Sequence, residues 1–138
     1  MNKAIFATLA LATSVAFAGP AFADKYKAAL DGKSENPPTT STGTGTADID
    51  YDAATKKLSW KLTYTGLSGP ATAAHFHAGE TGKNGGVAVA IPGATSSPAE
   101  GSATLTDAQA ADLAAGKLYV NVHTAANPAG EIRGQVTK

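Results

Sequence analysis

Ala47-Asp48-Ile49-Asp50-Tyr51-Asp52-Ala53-Ala54-Thr55-Lys56-Lys57-Leu58-Ser59-Trp60-Lys61-Leu62-Thr63-Tyr64 is the stretch that decides the fold class. Ala47, Ile49 and Tyr51 alternate with Asp48, Asp50 and Asp52, and Leu58, Trp60, Leu62 and Tyr64 alternate with Lys57, Ser59, Lys61 and Thr63. A helix would scatter these apolar residues around its axis. An extended chain repeats every two residues and gathers them on one face. Two such runs, joined by a turn over residues 52–56, read as neighbouring strands with one face on a core and one in water.

The same period extends in both directions. Tyr26, Ala28 and Leu30 alternate with Lys25, Lys27, Ala29 and Asp31 as a first short strand. Glu35-Asn36-Pro37-Pro38 interrupts it, because proline has no N–H for a ladder, and residues 39–46 read as a loop or an edge strand. Beyond a break at residues 66–70, residues 72–78 form a strand containing His75-Phe76-His77. Lys83-Asn84-Gly85-Gly86 is a turn of the Asn-Gly kind. Val87, Val89 and Ile91 make a strand ended by Pro92-Gly93, and residues 98–105 make another. Residues 106–116 are the one credible helix, with Thr106 as cap, Gln109 completing a capping box and Gly116 closing it. Residues 118–123, a turn at Asn127-Pro128-Ala129-Gly130 and residues 132–136 supply the last two strands. Seven or eight short strands and one helix predict an all-β, Greek-key antiparallel sandwich or barrel.

The first residues set an expectation about compartment. Lys3 precedes an uncharged, largely apolar run from Ala4 to Phe17, then Gly19-Pro20 and Ala21-Phe22-Ala23. These are the three parts of a secretory signal peptide, over residues 1–23, with cleavage after Ala23. The run is too short to stay as a membrane-spanning helix, so the expected product is one periplasmic or secreted domain, residues 24–138, with no stable membrane insertion after cleavage. Without Lys3 that domain has ten basic and eleven acidic side chains. Such a balance, with no basic stripe, argues against nucleic acid as a partner. Cysteine is absent, which excludes thiolate chemistry and disulfide support.

Three histidines carry the strongest chemical signal. On a strand His75 and His77 share one face while Phe76 takes the other, and His123 ends Leu118-Tyr119-Val120-Asn121-Val122-His123 on its polar face. Two imidazoles at H-x-H spacing, with a third from another strand, suit copper, zinc or iron. The alternative is that they are polar-face residues hydrogen-bonded to neighbours. Arg133, the single arginine, either guides a small anion toward such a metal or pairs with Glu131 or another carboxylate to pin the last strand. Asp48, Asp50 and Asp52 fail as a calcium loop because Ala53 and Ser59 stand where glycine and glutamate are required.

Leu30-Asp31-Gly32 with Glu35-Asn36-Pro37-Pro38, Ala74-His75-Phe76-His77-Ala78-Gly79 with Asn84-Gly85, and the run from Gly116 through Gln135 resemble, in order, the CHRD (chordin-domain) family of exported proteins. The resemblance covers Tyr26 to Val136 and implies an immunoglobulin-like or barrel-like β fold without implying a reaction. A looser likeness is to copper/zinc superoxide dismutases, which share a Greek-key β fold, an H-x-H pair and a late arginine near copper. This chain has three histidines and no cysteine where those enzymes use more ligands and a disulfide. Two expectations follow. One is a protein binding a single copper or iron ion through His75, His77 and His123, with dismutase-like chemistry on a small oxidant and Arg133 guiding the anion. The other is a non-enzymatic extracellular or envelope interaction module, with structural histidines and a protein partner. A homodimer is open to either.

Overall fold

The computed structural model describes residues 23–138, and the export signal expected over residues 1–23 lies outside them except for Ala23. The elements run β1 (Asp24–Asp31), a 3-10 turn (Gly32–Ser34), β2 (Thr44–Asp52), β3 (Lys57–Thr65), β4 (Ala71–Ala78), β5 (Val87–Ala90), β6 (Ala99–Thr104), α1 (Asp107–Ala114), β7 (Leu118–Thr124) and β8 (Ile132–Gln135). All pairings are antiparallel, in one eight-stranded sheet ordered β5-β4-β7-β8-β1-β2-β3-β6. The all-β expectation is met.

The sheet curls because one face of nearly every strand is apolar. Ala47, Ile49 and Tyr51 of β2 and Leu58, Trp60 and Leu62 of β3 are buried, as their alternation predicts. β3 and β4 are far apart in the sheet order, yet the rings of Trp60 and Phe76 meet edge to face at 5.3 Å. The sheet must therefore bend back on itself to bring them together, which makes a nearly closed barrel. Its open seam lies between edge strands β5 and β6. Helix α1 follows β6 and donates the Gln109 side-chain amide to the Ala88 carbonyl of β5 at 2.9 Å, occupying a backbone acceptor at that edge.

The predicted capping box is present. Gln109 N–H donates to Thr106 Oγ1 at 3.2 Å, and Thr106 N–H donates to Gln109 Oε1 at 3.0 Å. Thr106→Ala should cost about 1 kcal/mol, measured by urea unfolding, since a lost cap typically costs that much. An unchanged midpoint would show that the packing of Leu113 alone holds the helix.

Three local expectations shift. β2 begins at Thr44 and lies inside the sheet, so no edge strand forms over residues 39–43. β5 ends at Ala90 and leaves Val87 57% exposed. The β4–β5 register slips between Phe76 and His77, which breaks the simple alternation of Val87, Val89 and Ile91. The face of β7 predicted to be polar is largely buried: Tyr119 and Asn121 are covered, although they point away from the barrel interior that Leu118, Val120 and Val122 fill. A second layer of loops explains this, and the candidate site lies beneath it.

Candidate metal centre

Strands β4 and β7 bring the histidines together. The ladder sets Ala73 opposite His123, His75 opposite Asn121 and His77 opposite Tyr119. Because side chains alternate, all three imidazoles emerge on the outer face while Ala74, Phe76 and Val122 enter the core. His77 is buried, and His75 and His123 are half-buried. One ligand nitrogen from each ring lies within 4.8 Å of the other two.

Backbone carbonyls orient two of the rings. His123 Nδ1 lies 2.8 Å from the Pro128 carbonyl, and His77 Nδ1 lies 2.9 Å from the Gly85 carbonyl. A carbonyl can only accept, so both Nδ1 atoms carry the hydrogen, and in the neutral form of either ring Nε2 is the nitrogen with the lone pair. His77 Nε2 is buried with no hydrogen-bond partner. His123 Nε2 faces His75 Nδ1 at 3.1 Å. Two nitrogens bound to one ion at about 2.0–2.1 Å, with angles of about 90–110°, lie about 2.9–3.4 Å apart, so this pair already has ligand spacing. Burial pushes the pKa of His75 below the ordinary histidine value, and the neighbouring His123 and His77 charges lower it further. Burial also lowers that of His77, against the upward pull of its bond to Gly85. Neutral imidazole is the form that ligates a metal.

Behind the rings stands a stack. Tyr119 lies parallel to His77, with ring centres 4.9 Å apart and planes 4° apart, and the Arg133 guanidinium sits 3.4 Å from the other face of the same tyrosine. The Tyr119 hydroxyl accepts from Gly85 N–H at 3.0 Å. Arg133 is 1% exposed and donates to the Glu80 and Lys83 carbonyls and to Asn84 Oδ1. It thus grips the 79–86 loop whose Gly85 carbonyl orients His77. Arg133 forms no pair with Glu131. An anion-guiding role would need a guanidinium open to solvent, which this placement does not provide.

Glu131 binds elsewhere. Its carboxylate accepts from Ser41 Oγ at 2.8 Å, Ser68 N–H at 2.9 Å, Thr124 Oγ1 at 2.8 Å, Asn127 Nδ2 at 3.1 Å and the Ser68 hydroxyl. Burial pushes this carboxyl up, but the hydrogen bonds from Ser68, Thr124 and Ser41 outweigh it and hold the pKa at about 2. Asp50 pairs with Lys25 and Asp52 caps the turn at Ala54, so the aspartates of β2 serve the strand and its turn.

The sequence points to the three imidazoles and Arg133 but not to the layer that holds them. Tyr119, Asn121 and Gly85 stand in the runs that resemble the family, but nothing in their residue types points to a role in holding the imidazoles. The common face of Tyr119, Asn121 and His123 on β7 was the one available clue.

A nearly closed antiparallel barrel whose outer face gathers three imidazoles under a loop layer defines a small β domain with a histidine centre suited to a metal ion. The family pattern of the CHRD domain matches residues 26–136, and the chain belongs to the CHRD-domain family. No curated protein and no solved structure matches the chain.

Proposed function

We propose that this CHRD-domain protein is exported to the periplasm or beyond and binds one transition-metal ion, copper or iron, through His75, His77 and His123. The observation that carries the reading is the convergence of three imidazole nitrogens within 4.8 Å, two of them with their tautomers set by backbone carbonyls. Hydrogen bonds from the far nitrogen are the usual support of a ligating histidine. An all-imidazole set without thiolate or carboxylate favours copper, zinc or iron over magnesium or calcium, and copper(II) heads the affinity order. A bound copper or iron ion would supply one-electron chemistry at a position left open by three protein ligands. The protein's part is to present neutral rings and to limit water on the His77 side. Superoxide-dismutase-like activity toward a small oxidant is the redox branch of this reading. Arg133 then serves from behind, through Tyr119 and the 79–86 loop.

The test is the metal content of the tag-free chain beside a His75→Ala/His77→Ala/His123→Ala variant. About one copper or iron ion per chain is expected in the first and none in the second. The unsubstituted chain should also melt higher with added copper, by about 2.7 kcal/mol of stabilisation at a hundredfold excess over Kd, while the variant should not respond. Equal, sub-stoichiometric metal in both would overturn the reading and leave an exported interaction module. A loaded protein without dismutase activity would remove the redox branch alone.

A further inference from the structure

Asn121 stands among the three imidazoles. Across the ladder it faces His75 of β4, His123 follows it by two residues on the same face of β7, and His77 lies diagonally opposite. Opposed and diagonal side chains on one face of a sheet are within reach of one another. Asn121 is 2% exposed, and its Oδ1 is buried with no donor. The surroundings decide which end of the amide points where. Nδ2 donates to the Ala129 carbonyl at 3.3 Å, and a Cβ on Gly130 would meet that same Nδ2 together with Glu35 Oε1. Both neighbours are acceptors, so the nitrogen belongs at the gap that Gly130 leaves and the oxygen at the other end. The pKa values carry the same polarity. Burial raises the Glu35 carboxyl, while Arg133 and the Asn121 amide pull it down, as donors do. Burial lowers the His77 imidazole, while the Gly85 carbonyl and then Asn121 pull it up, as acceptors do.

Asn121 Oδ1 and His77 Nε2 are therefore two neighbouring buried acceptors, neither of which has a donor. Such atoms are costly to leave unpaired in an interior, and each calls for a partner. A proton on Nε2 would join that one pair and leave His75 and His123 outside it. A cation joins them all, since the three imidazoles already offer nitrogens within 4.8 Å of one another. We infer that a cation held by His75, His77 and His123 takes the Asn121 amide oxygen as its fourth protein ligand. This rests on the metal reading above and adds a neutral oxygen donor to it. Three imidazole nitrogens and one oxygen are the donor types of a tetragonal copper(II) site, in which an axial position stays open to a small oxidant. Soft copper(I), which prefers thiolate and thioether sulfur, is the poorer match. The 127–130 turn then aims two of the four ligands: its Ala129 carbonyl holds the Asn121 amide, and its Pro128 carbonyl orients His123.

The experiment compares copper(II) affinity in the tag-free full chain, Asn121→Leu and Asn121→Asp. Leucine keeps much of the shape of the amide and has no donor atom. Aspartate keeps an oxygen and loses the Nδ2 hydrogens. Asn121→Leu should bind about 100-fold or more weakly, beyond the usual cost of losing an outer-shell partner, and Asn121→Asp at least as tightly as the unsubstituted chain. Equal weakening in both variants overturns the inference, because it assigns the effect to the lost Nδ2 bond, and so does unchanged affinity in Asn121→Leu. Either result leaves the metal reading intact. Absence of copper binding by the unsubstituted chain overturns both. A second measurement does not depend on the leucine variant folding: pulsed EPR of the copper(II)-loaded unsubstituted chain with carbon-13 at its asparagine side-chain carbonyls. A carbon-13 hyperfine coupling to copper is expected, and it should vanish in Asn121→Asp. A loaded chain without that coupling, or a coupling that persists in Asn121→Asp, overturns the inference.

Discussion

Glu131→Ala should destabilise the protein by about 3–5 kcal/mol and lower Tm by roughly 10–20 °C, measured by urea and thermal unfolding at neutral pH. Glu131 is fully buried, and its carboxylate collects donors from the segment before β2, the β3–β4 loop, the end of β7 and the 127–130 turn. Its own carbonyl takes the Thr39 hydroxyl at 2.7 Å, and its N–H donates to Val122 at 2.7 Å. One side chain therefore ties together four pieces of chain whose donors would otherwise be stranded. Hydrogen bonds to a charged group are worth about 1.5–3 kcal/mol each before the desolvation of the charge is counted. The contribution is pH-dependent with a definite sign. The folded pKa of about 2 lies below the unfolded glutamate value of about 4.3. The stabilisation is complete above the unfolded value and is lost as pH falls toward 2. The stability gap between the unsubstituted chain and Glu131→Ala should therefore narrow as pH falls from about 4.5 to 2. A gap that does not change with pH would assign the loss to packing rather than to the carboxylate.

Gly85→Ala should weaken metal binding by about 10–100-fold, the usual effect of losing the groups that orient a ligand. A Cβ on Gly85 would lie 1.4 Å from the Ala78 carbonyl oxygen and 2.6 Å from its carbon, so the loop cannot keep its place against β4. The Gly85 carbonyl sets the His77 tautomer, and Gly85 N–H holds the Tyr119 hydroxyl. Pushing the loop outward releases both partners of the ring stack together. The measurement is the copper or zinc Kd of Gly85→Ala, with Gly86→Ala as control, because nothing lies within 4 Å of a Cβ at Gly86. Equal affinity in the two variants would mean that His77 holds its orientation without the loop.

Gly85 also shows a local reading corrected by the fold: the turn expected at residues 83–86 lies at residues 80–83, closed by Lys83 N–H on the Glu80 carbonyl, and residues 83–86 run on without one. Lys83-Asn84-Gly85-Gly86 reads as a turn because asparagine and glycine tolerate positive φ. In the folded chain the positive φ of this loop falls at Gly82, and Gly85 is needed for its contact with β4. Dihedral preference is a property of a residue and its neighbours. Close approach of two backbones is a property of the fold.

The β class, the faces of β2 and β3, the capped helix and the common face of His75 and His77 are all legible in the residue order alone. Each follows from a period of two residues or from a cap three residues away, and such interactions need no partner strand. The pairing of β7 with β4 came from the fold as a whole: it carries His123 to His77 across 45 intervening residues, a separation along which no local period survives. The same pairing buried the supposedly polar face of β7 beneath the loops, made Arg133 a clamp on one of them, gave Glu131 its donors from four segments and set Glu35 beside Asn121. The physical reason is that strand order and loop layering are set by which apolar faces can close one barrel together, and that choice depends on the whole chain at once.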